Sequence, residues 1–258
     1  MLDKKRTVLI TGASAGIGKA LAGEFASHGY DLILIARRKE LLDTVSKELS
    51  EKHGIAAYPL AVDLLQDGAP QMIVDYITDN NLSVDILINN AGMGSAGDFV
   101  DTDWSKTESI LKLNVHTTTE MDYLFLKRMQ KTGRGTIVNI ASTLAFAPTA
   151  GESVYAASKS YLLSLGQALY EETKHSPVRV LTVCPGVTNT DFFKQAGFSL
   201  NQFSAAAPES FAAFAYKQIV RCKPLSVHRF SNKATSVFAR LAPRGTVRRA
   251  YASFCKIQ

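Results

Sequence analysis

The chain alternates between short apolar runs and longer amphipathic stretches. Six runs rich in Val, Ile and Leu are typical of buried strands: Thr7–Thr11, Asp31–Ala36, Ala57–Ala61, Ile86–Asn89, Thr136–Ile140 and Arg179–Cys184. Between them, apolar residues recur at helical spacing in Ile17–His28, Lys39–His53, Pro70–Asn80, Trp104–Met129 and Ser153–His175. A shorter run, Leu225–Phe230, is a candidate seventh strand. The alternation predicts one α/β domain over residues 1–258, with a doubly wound, mostly parallel sheet covered by helices on both faces.

Residues suited to ligand binding follow each predicted strand. In an open parallel sheet, ligands bind beyond the carboxyl ends of the strands, where the strand order reverses. Those ends carry Gly12, Ser14, Ala15, Gly16, Ile17 and Gly18, then Arg37 and Arg38, Asp63 and Leu64, Asn90, Ala91 and Gly92, and Ser142. The sequence therefore predicts one crevice that these loops share.

The segment TGASAGIG, residues 11–18, joins the first strand to the first helix. Glycines there let the backbone approach a pyrophosphate, which the N–H groups and dipole of the helix amino terminus attract. The spacing G-x-x-x-G-x-G differs from the usual dinucleotide fingerprint, so the segment alone is a weak indication. The same letters also spell G-x-S-x-G, the nucleophile elbow of serine hydrolases, centred on Ser14. Only one predicted strand precedes Ser14, and His116, His175 and His228 lack an acidic partner in the required order, so a hydrolase is the less favoured alternative.

The end of the second strand indicates which dinucleotide would bind. An NAD site places Asp or Glu there to bind the ribose 2′-hydroxyl. Here Ala36 is followed by Arg37 and Arg38. A guanidinium binds a 2′-phosphate through a fork of hydrogen bonds, so the sequence favours NADP(H) over NAD(H). The alternative is two solvated arginines at the start of a helix.

Tyr155 and Lys159 lie four residues apart and share one face of a predicted helix. An ordinary phenol exchanges protons poorly at neutral pH. A nearby ammonium favours the phenolate, so we expect Lys159 to lower the pKa of Tyr155. Tyr155 would then protonate a carbonyl oxygen or deprotonate an alcohol, while Ser142 holds the same oxygen by a hydrogen bond. Taken alone, Y-x-x-x-K is more often a half-buried tyrosine beside a surface lysine.

Six motifs occur in order along the chain: TGASAGIG, NNAG, LKLNV with Asn114, Ser142, YAASK and PGVTNT. In these motifs the chain resembles the short-chain dehydrogenase/reductase family over essentially its full length. The resemblance implies a seven-stranded Rossmann-type sheet and hydride transfer between NADP(H) and a carbonyl or secondary alcohol. It also implies a catalytic tetrad of Asn114, Ser142, Tyr155 and Lys159. Because the tetrad is complete, a catalytically silent NADP(H)-binding protein is a less favoured alternative.

The resemblance further implies individual roles. Asn114 would hold a water that connects Lys159 to solvent, and Lys159 would also bind the nicotinamide ribose. Asp63, with Leu64 beside it, would contact the adenine, and Arg37 occupies the position that selects NADP. The other implied cofactor contacts are Asn90, Ala91 and Gly92 near the adenosine ribose, and Val187, Thr188 and Thr190 at the nicotinamide carboxamide. Family members usually form dimers or tetramers by pairing the helices predicted at Trp104–Met129 and Ser153–His175.

The loops expected over the active site are apolar. They contain Leu144, Phe146, Phe192, Phe193, Phe198 and Phe203. Such a lining suits a lipophilic ketone, aldehyde or 3-oxoacyl group, although these side chains would equally serve to pack the loops onto their own domain.

Composition and the chain's amino end indicate the cellular compartment expected for the protein. The amino end, MLDKKRTVLITG, leaves no room for a signal peptide, and no apolar run approaches the roughly 18 residues of a membrane span. Three cysteines show no metal-ligand spacing, which indicates free thiols in a reducing compartment. We therefore expect a cytoplasmic protein without a metal site.

The net charge of +6 is concentrated at the carboxyl end. No acidic residue follows Glu209, whereas ten of the 29 basic residues do, so the first 209 residues carry 19 basic against 23 acidic residues, a net charge of −4. The segment at about 231–258 mixes arginines with apolar residues and is similar to that of a bacterial ketoacyl-reductase-like branch. It would form a solvated basic helix, an amphipathic helix on anionic lipid or a dock for an acidic carrier. Nucleic acid is not expected as a partner, since no recognition pattern of aromatic and basic residues occurs elsewhere.

Overall fold

A single parallel sheet organises the computed structural model, which describes residues 5–197 and 205–254 of the 258-residue chain. Its seven strands lie in the order β3-β2-β1-β4-β5-β6-β7. They are β1 (Thr7–Thr11), β2 (Asp31–Ala36), β3 (Ala57–Ala61), β4 (Ile86–Asn89), β5 (Gly135–Ile140), β6 (Val178–Cys184) and β7 (Leu225–Val227). The predicted doubly wound α/β fold of Rossmann type is confirmed.

Helices cover both faces of the sheet. They are α1 (Gly16–Ser27), α2 (Lys39–His53), α3 (Ala69–Asp79), α4 (Trp104–Leu111), α5 (Thr118–Thr132), α6 (Ser153–Thr173), α7 (Asp191–Ala196), α8 (Pro208–Val220), α9 (Phe230–Leu241) and α10 (Arg244–Phe254). The single helix predicted at Trp104–Met129 is divided, because a π-helical turn at Lys112–Thr117 separates α4 from α5. None of the helices in residues 5–197 and 205–254 combines the length and hydrophobicity needed to span a bilayer.

The carboxyl-terminal part of the chain differs from the sequence prediction. The seventh strand was predicted to reach Phe230, but β7 ends at Val227. Arg229 adopts a φ of +66°, which is incompatible with an extended strand, and α9 begins at the next residue. The helices α7 and α8 were not among the predicted elements, whereas the helix expected in the basic segment at about 231–258 is present as two helices, α9 and α10.

Two apolar layers hold the helices on the sheet. On one face, α1, α2 and α8 bury Phe25, Leu42 and Phe211 against the strands. On the other face, α3 and α5 bury Ile73 and Phe125. Each fully buried side chain of this size contributes about 1.5–3 kcal/mol relative to exposure, so both layers fix the strand ends that carry the loops.

A buried polar cluster fixes α5 on β4 and β5. Asn89 Nδ2 donates to Asp122 Oδ1 at 2.8 Å, and Asn139 Nδ2 donates to Asp122 Oδ2 at 2.8 Å. Asn89 Nδ2 also donates to Asn139 Oδ1 at 3.0 Å. Burial raises the pKa of Asp122 to about 7 despite both asparagine hydrogen bonds. Because both carboxyl oxygens have partners, this buried acid has a structural explanation.

The strand order reverses between β1 and β4. From β1 the chain proceeds to β2 and β3 on one side, then crosses to β4 and continues outward on the other side. The helices that follow the strands diverge there, which leaves a crevice beyond the carboxyl ends of the strands. The predicted site residues converge on this crevice.

Candidate active site

The glycine loop after β1 forms one wall of the crevice. Gly12 has a φ of +68°, a conformation that favours glycine. Gly18 faces the same loop, and a Cβ added to it would lie 2.1 Å from the Gly12 carbonyl oxygen and 2.7 Å from Asn90 Nδ2. Helix α1 has Ala15 at its N-cap, and no side chain caps its first turn. Its amino-terminal N–H groups are therefore left for an anionic ligand.

Thr11 and Asn90 join the glycine loop to the end of β4. Thr11 Oγ1 accepts hydrogen bonds from the backbone N–H groups of Asn90 and Ala91, both at 3.0 Å. Asn90 Nδ2 donates to the Thr11 carbonyl oxygen at 2.9 Å. The predicted motif NNAG therefore supports the glycine loop from the neighbouring strand.

Basic and acidic side chains line the outer end of the crevice. Arg37 and Arg38 are exposed there, and Arg38 Nη2 donates to Ser14 Oγ at 3.4 Å. Asp63 Oδ1 accepts a hydrogen bond from the Leu65 N–H at 3.0 Å, which fixes its loop. The structure thus brings two guanidinium groups beside the glycine loop, as the sequence predicted.

At the inner end of the crevice, Tyr155 on α6 approaches Ser142 at the end of β5. Tyr155 is 8% exposed, and its phenol lies near enough to the Ser142 side chain for Ser142 to favour the phenolate. Ser142 Oγ also accepts from the Leu144 N–H at 3.2 Å, which fixes the hydroxyl beside the phenol. The ring of Phe192 lies 5.5 Å from that of Tyr155, centre to centre. A phenol and a hydroxyl are therefore directed together at one point of the crevice.

Lys159 lies one helical turn beyond Tyr155 and is buried. Its Nζ donates to the Ile140 carbonyl oxygen at 2.9 Å and lies 5.8 Å from the centre of the Tyr155 ring. Burial lowers the pKa of Lys159 to about 8. The pKa of Lys159 is therefore close enough to neutral pH for the amine to gain and lose protons there.

The predicted lowering of the Tyr155 pKa is wrong. Burial raises the pKa of Tyr155 well above its usual value, and the nearby Glu152 carboxyl raises it further. The Ser142 side chain favours the phenolate and opposes both effects without overcoming them. The physical reason is desolvation, because the phenolate loses water that Lys159 at this distance does not replace.

Asn114 lies in the π-helical turn and is fully buried. Its Nδ2 donates to the Met93 carbonyl oxygen at 2.9 Å and to Ser158 Oγ at 3.0 Å, while its Oδ1 accepts from the Met93 N–H at 2.9 Å. A Cβ added to Gly92 would lie 3.3 Å from Lys159 Nζ and 3.4 Å from Asn114 Oδ1. Asn114 therefore stands directly behind the crevice wall, close to Lys159, and its predicted role in holding a water stays a prediction.

The loop after β6 closes the opposite side. Thr188 Oγ1 donates to the Gly186 carbonyl oxygen at 3.0 Å, and Thr190 packs against Gly16 of the glycine loop. Apart from Asn114, every predicted catalytic and cofactor residue lines a single crevice of about 990 Å³. These residues are Gly12, Ser14, Ala15, Gly16, Ile17, Gly18, Arg37, Arg38, Asp63, Leu64, Asn90, Ala91, Gly92, Ser142, Tyr155, Lys159, Val187, Thr188 and Thr190.

Sequence reasoning missed a wall of the crevice and an acid within it. The wall comes from the carboxyl-terminal helices and consists of Ser231, Asn232, Thr235 and Tyr251. A Cβ added to Gly186 would lie 2.2 Å from Asn232 Nδ2, so α9 packs closely on the loop after β6. The acid is Glu152. These residues belong to no motif, although Glu152 precedes Tyr155 by only three positions and could have been found as an acidic residue beside the YAASK segment.

Only some of the apolar residues predicted over the site line the crevice. Leu144 and Phe192 line the crevice, whereas Phe146 packs against the apolar cluster beneath α6. The side chain of Phe193, and Phe198 and Phe203, lie outside the described residues. The predicted apolar lining is therefore confirmed for two residues.

Ser14 does not have the surroundings of a hydrolase nucleophile. Its hydroxyl accepts from Arg38, and within the described chain no hydrogen bond connects it to a histidine. His228 Nε2 lies instead 3.5 Å from Ser210 Oγ. The structure thus gives Ser14 the position of a loop residue beside the helix amino terminus.

Comparison with known proteins agrees with this geometry. Residues 6–199 match the family model described as short chain dehydrogenase. The chain is 33% identical over 193 residues to an NADP-dependent 3-hydroxy acid dehydrogenase of Schizosaccharomyces pombe, covering 74% of each chain. It is 32% identical over 217 residues to the very-long-chain 3-oxoacyl-CoA reductase of Homo sapiens, covering 82% of this chain and 67% of that one.

The fold is also found in solved structures. A short-chain dehydrogenase from Sphingobium yanoikuyae, in complex with NADPH, superposes with a TM-score of 0.83 at 33% identity and covers 91% of this chain and 93% of its own. The family match spans well over half of the chain and includes the glycine loop, Ser142, Tyr155 and Lys159. The chain is an oxidoreductase of the short-chain dehydrogenase/reductase family.

Proposed function

We propose that the protein is an NADP(H)-dependent reductase of a lipophilic ketone, aldehyde or 3-oxoacyl compound, acting reversibly on the corresponding secondary or primary alcohol. One observation carries the proposal: Tyr155, Ser142 and Lys159 line the inner end of the same crevice whose other end presents a glycine loop and two arginines. This arrangement places an acid–base pair at a fixed distance from a dinucleotide cradle.

The residues of the crevice fit a dinucleotide. The uncapped amino terminus of α1 and the close approach of Gly12 and Gly18 would hold a pyrophosphate. Arg37 and Arg38 would bind a 2′-phosphate, Asp63 the adenine, and Thr188 and Thr190 the carboxamide end. The nicotinamide cofactor supplies or accepts the hydride when bound. Chains of this fold occur in complex with either NADPH or NAD, so the preference for NADP(H) rests on the two arginines.

The protein's own contribution is to hold the substrate oxygen and to move its proton. Ser142 donates a hydrogen bond to the carbonyl oxygen, and Tyr155 O–H delivers the proton as that oxygen becomes an alcohol. The raised pKa keeps Tyr155 protonated at neutral pH, which is the form that reduction needs. Lys159, with its pKa lowered to about 8, would restore the proton of Tyr155 through a bridging hydroxyl or water, because its Nζ lies 5.8 Å from the centre of the Tyr155 ring.

Turnover of NADPH tests the function directly. We expect its absorbance to fall with at least one member of a panel of ketones, aldehydes and 3-oxoacyl thioesters. A parallel esterase assay should show no activity, and Ser14→Ala should leave that result unchanged. Esterase activity that disappears in Ser14→Ala would favour the hydrolase alternative. Tight NADPH binding without turnover of any carbonyl would favour the catalytically silent alternative.

We also propose that the outer side of α9 contacts anionic lipid. Phe230, Ala234, Val237 and Leu241 recur at helical spacing along this helix and are exposed, Phe230 by 86% and Leu241 by 81%. The adjoining helical surface carries basic residues, and no acidic residue follows Glu209. Because the other side of α9 lines the crevice, such contact would deliver lipophilic substrates close to the site.

Vesicle co-sedimentation tests the lipid contact. We expect binding to vesicles with anionic lipid that weakens with salt, and a roughly five-fold smaller bound fraction for the double variant Val237→Glu/Leu241→Glu. Met72→Glu, an exposed apolar residue on α3, is the matched control and should bind like the parent chain. Absence of binding, or binding only to an acidic carrier protein, would overturn the lipid proposal.

We further propose a homodimer or homotetramer that pairs α4, α5 and α6. These helices carry four exposed aromatic or apolar side chains that such pairing would cover: Trp104, Leu111, Tyr123 and Tyr161. Light scattering should give a multiple of the chain mass, and a monomer at micromolar concentration would contradict the pairing.

A further inference from the structure

Glu152 is a buried acid inside the crevice that the catalytic tetrad does not use. It immediately precedes α6, three residues before Tyr155, and is only 7% exposed. It lines the crevice together with Leu144, Phe192 and Tyr155. Burial alone raises its pKa to about 8, and its carboxyl in turn raises the pKa of Tyr155. The acid and the reacting phenol are therefore neighbours.

No structural role accounts for this carboxyl. Glu152 is the N-cap residue of α6, but its side chain makes no capping hydrogen bond. Only its backbone takes part in the helix, since the Glu152 carbonyl oxygen accepts from the Ala156 N–H at 2.8 Å. Within residues 5–197 and 205–254 no hydrogen bond or ion pair is recorded for the Glu152 carboxyl. Asp122 is the useful contrast, because both of its oxygens accept from asparagine side chains.

Within the described residues the Glu152 side chain has no hydrogen-bonding partner, and Glu152 lines the crevice. Polar groups that leave water are normally satisfied by hydrogen bonds, and an unsatisfied one is unfavourable. A polar group on a ligand in the crevice would satisfy this carboxyl. Because Leu144 and Phe192 line the same crevice, we expect a ligand that is polar at two points and otherwise lipophilic.

We propose that Glu152 hydrogen-bonds a second oxygen of the substrate, a few bonds away from the carbonyl that Tyr155 protonates. The inference rests on the proposed reductase function and narrows its substrate class. A 3-oxo ester or thioester has such an oxygen in its acyl carbonyl, which the protonated carboxyl would bind as a donor. A free 3-oxo acid brings a carboxylate to the same place and is disfavoured, because an ionised carboxylate loses more hydration free energy than an ester carbonyl on entering a poorly hydrated site.

The test compares a 3-oxo ester with a monoketone of equal chain length. The readout is kcat/KM for the ester divided by kcat/KM for the monoketone. A variant that is generally less active lowers both values and leaves this ratio unchanged. We expect Glu152→Leu to lower this ratio by about ten-fold or more, because the ester oxygen loses its partner in a dry site. Glu152→Gln retains hydrogen-bonding groups and should keep the ratio within about three-fold of the parent. Ser153→Ala, an exposed neighbour on the same helix, is the control.

The outcomes separate the two proposals. A ratio unchanged in Glu152→Leu would overturn the role of Glu152 while leaving the reductase function intact. Absence of NADPH-dependent turnover of both substrates by the parent chain would overturn the reductase function and this inference with it. If Glu152→Leu fails to fold, Glu152→Met answers the same question with a flexible apolar side chain. In the folded variant, the free 3-oxo acid should also gain relative to the ester.

Discussion

Tyr155→Phe is expected to lower kcat by about a thousandfold while NADPH still binds with near-parental affinity. The substitution removes one oxygen and keeps the ring that packs near Phe192, so the crevice retains its shape. A thousandfold loss corresponds to about 4 kcal/mol of transition-state stabilisation, which is within the range of a positioned proton donor. Single-turnover reduction and a fluorescence titration with NADPH measure the two properties separately.

A matched substitution isolates the role of the hydroxyl. Tyr161 lies on the same helix, is exposed, and contacts the Thr119 hydroxyl at 2.9 Å outside the crevice. Tyr161→Phe removes an equivalent oxygen and should keep kcat within about two-fold. If Tyr155→Phe retained a comparable rate, the phenol would not be the proton donor, and the assignment of the site would fail.

The second large expected effect is a loss of the preference for NADPH over NADH. The double variant Arg37→Ala/Arg38→Ala should lose about a hundredfold in kcat/KM with NADPH and change by less than about three-fold with NADH. Both side chains are exposed at the outer end of the crevice, and Arg38 already touches the glycine loop through Ser14. We therefore expect their guanidinium groups to bind the 2′-phosphate, which NADH lacks.

Steady-state kinetics with both cofactors measures this preference. Arg128→Ala is the control, because Arg128 is half-buried and donates to Thr78 Oγ1 at 3.0 Å, away from the crevice. Equal efficiency of the parent chain with NADH and NADPH would contradict the assigned preference. A parallel loss with both cofactors in the double variant would instead assign the arginines to the pyrophosphate or to the stability of the loop.

The sheet and the cofactor loops were predictable because local rules determine them. Buried parallel strands must be continuous apolar runs, and the loops after them must contain glycine or small polar residues where a ligand approaches the backbone. Gly18 is an example, since any side chain there would collide with Gly12. The first six strands and the crevice residues in the loops that follow them therefore followed from the sequence.

The carboxyl-terminal helices were harder to predict, for reasons that particular residues illustrate. Helix α8 does carry a start signal, Pro208 followed by Glu209, which are favourable in a first turn. Helix α9 follows β7 after only two residues, and the turn depends on Arg229 with a positive φ, which sequence patterns do not reveal. That α9 also forms a wall of the crevice depends on packing between distant segments.

The protonation of Tyr155 shows a second limit of sequence reasoning. The i to i+4 spacing correctly placed Lys159 one turn from the phenol. It could not indicate how much water both groups lose, because desolvation depends on the whole surrounding structure. Nor did it identify Glu152, whose effect on Tyr155 comes from burial near the phenol and not from a motif.

The π-helical turn at Lys112–Thr117 makes the position of Asn114 depend on how many residues the helix contains. Loss of one residue from this turn would restore a regular α-helix and rotate one flank by about 100° relative to the other. Asn114 would leave Met93 and Ser158 even though every motif letter survived. In alignments of related chains, a one-residue gap here therefore deserves the same weight as a substitution of the tetrad itself.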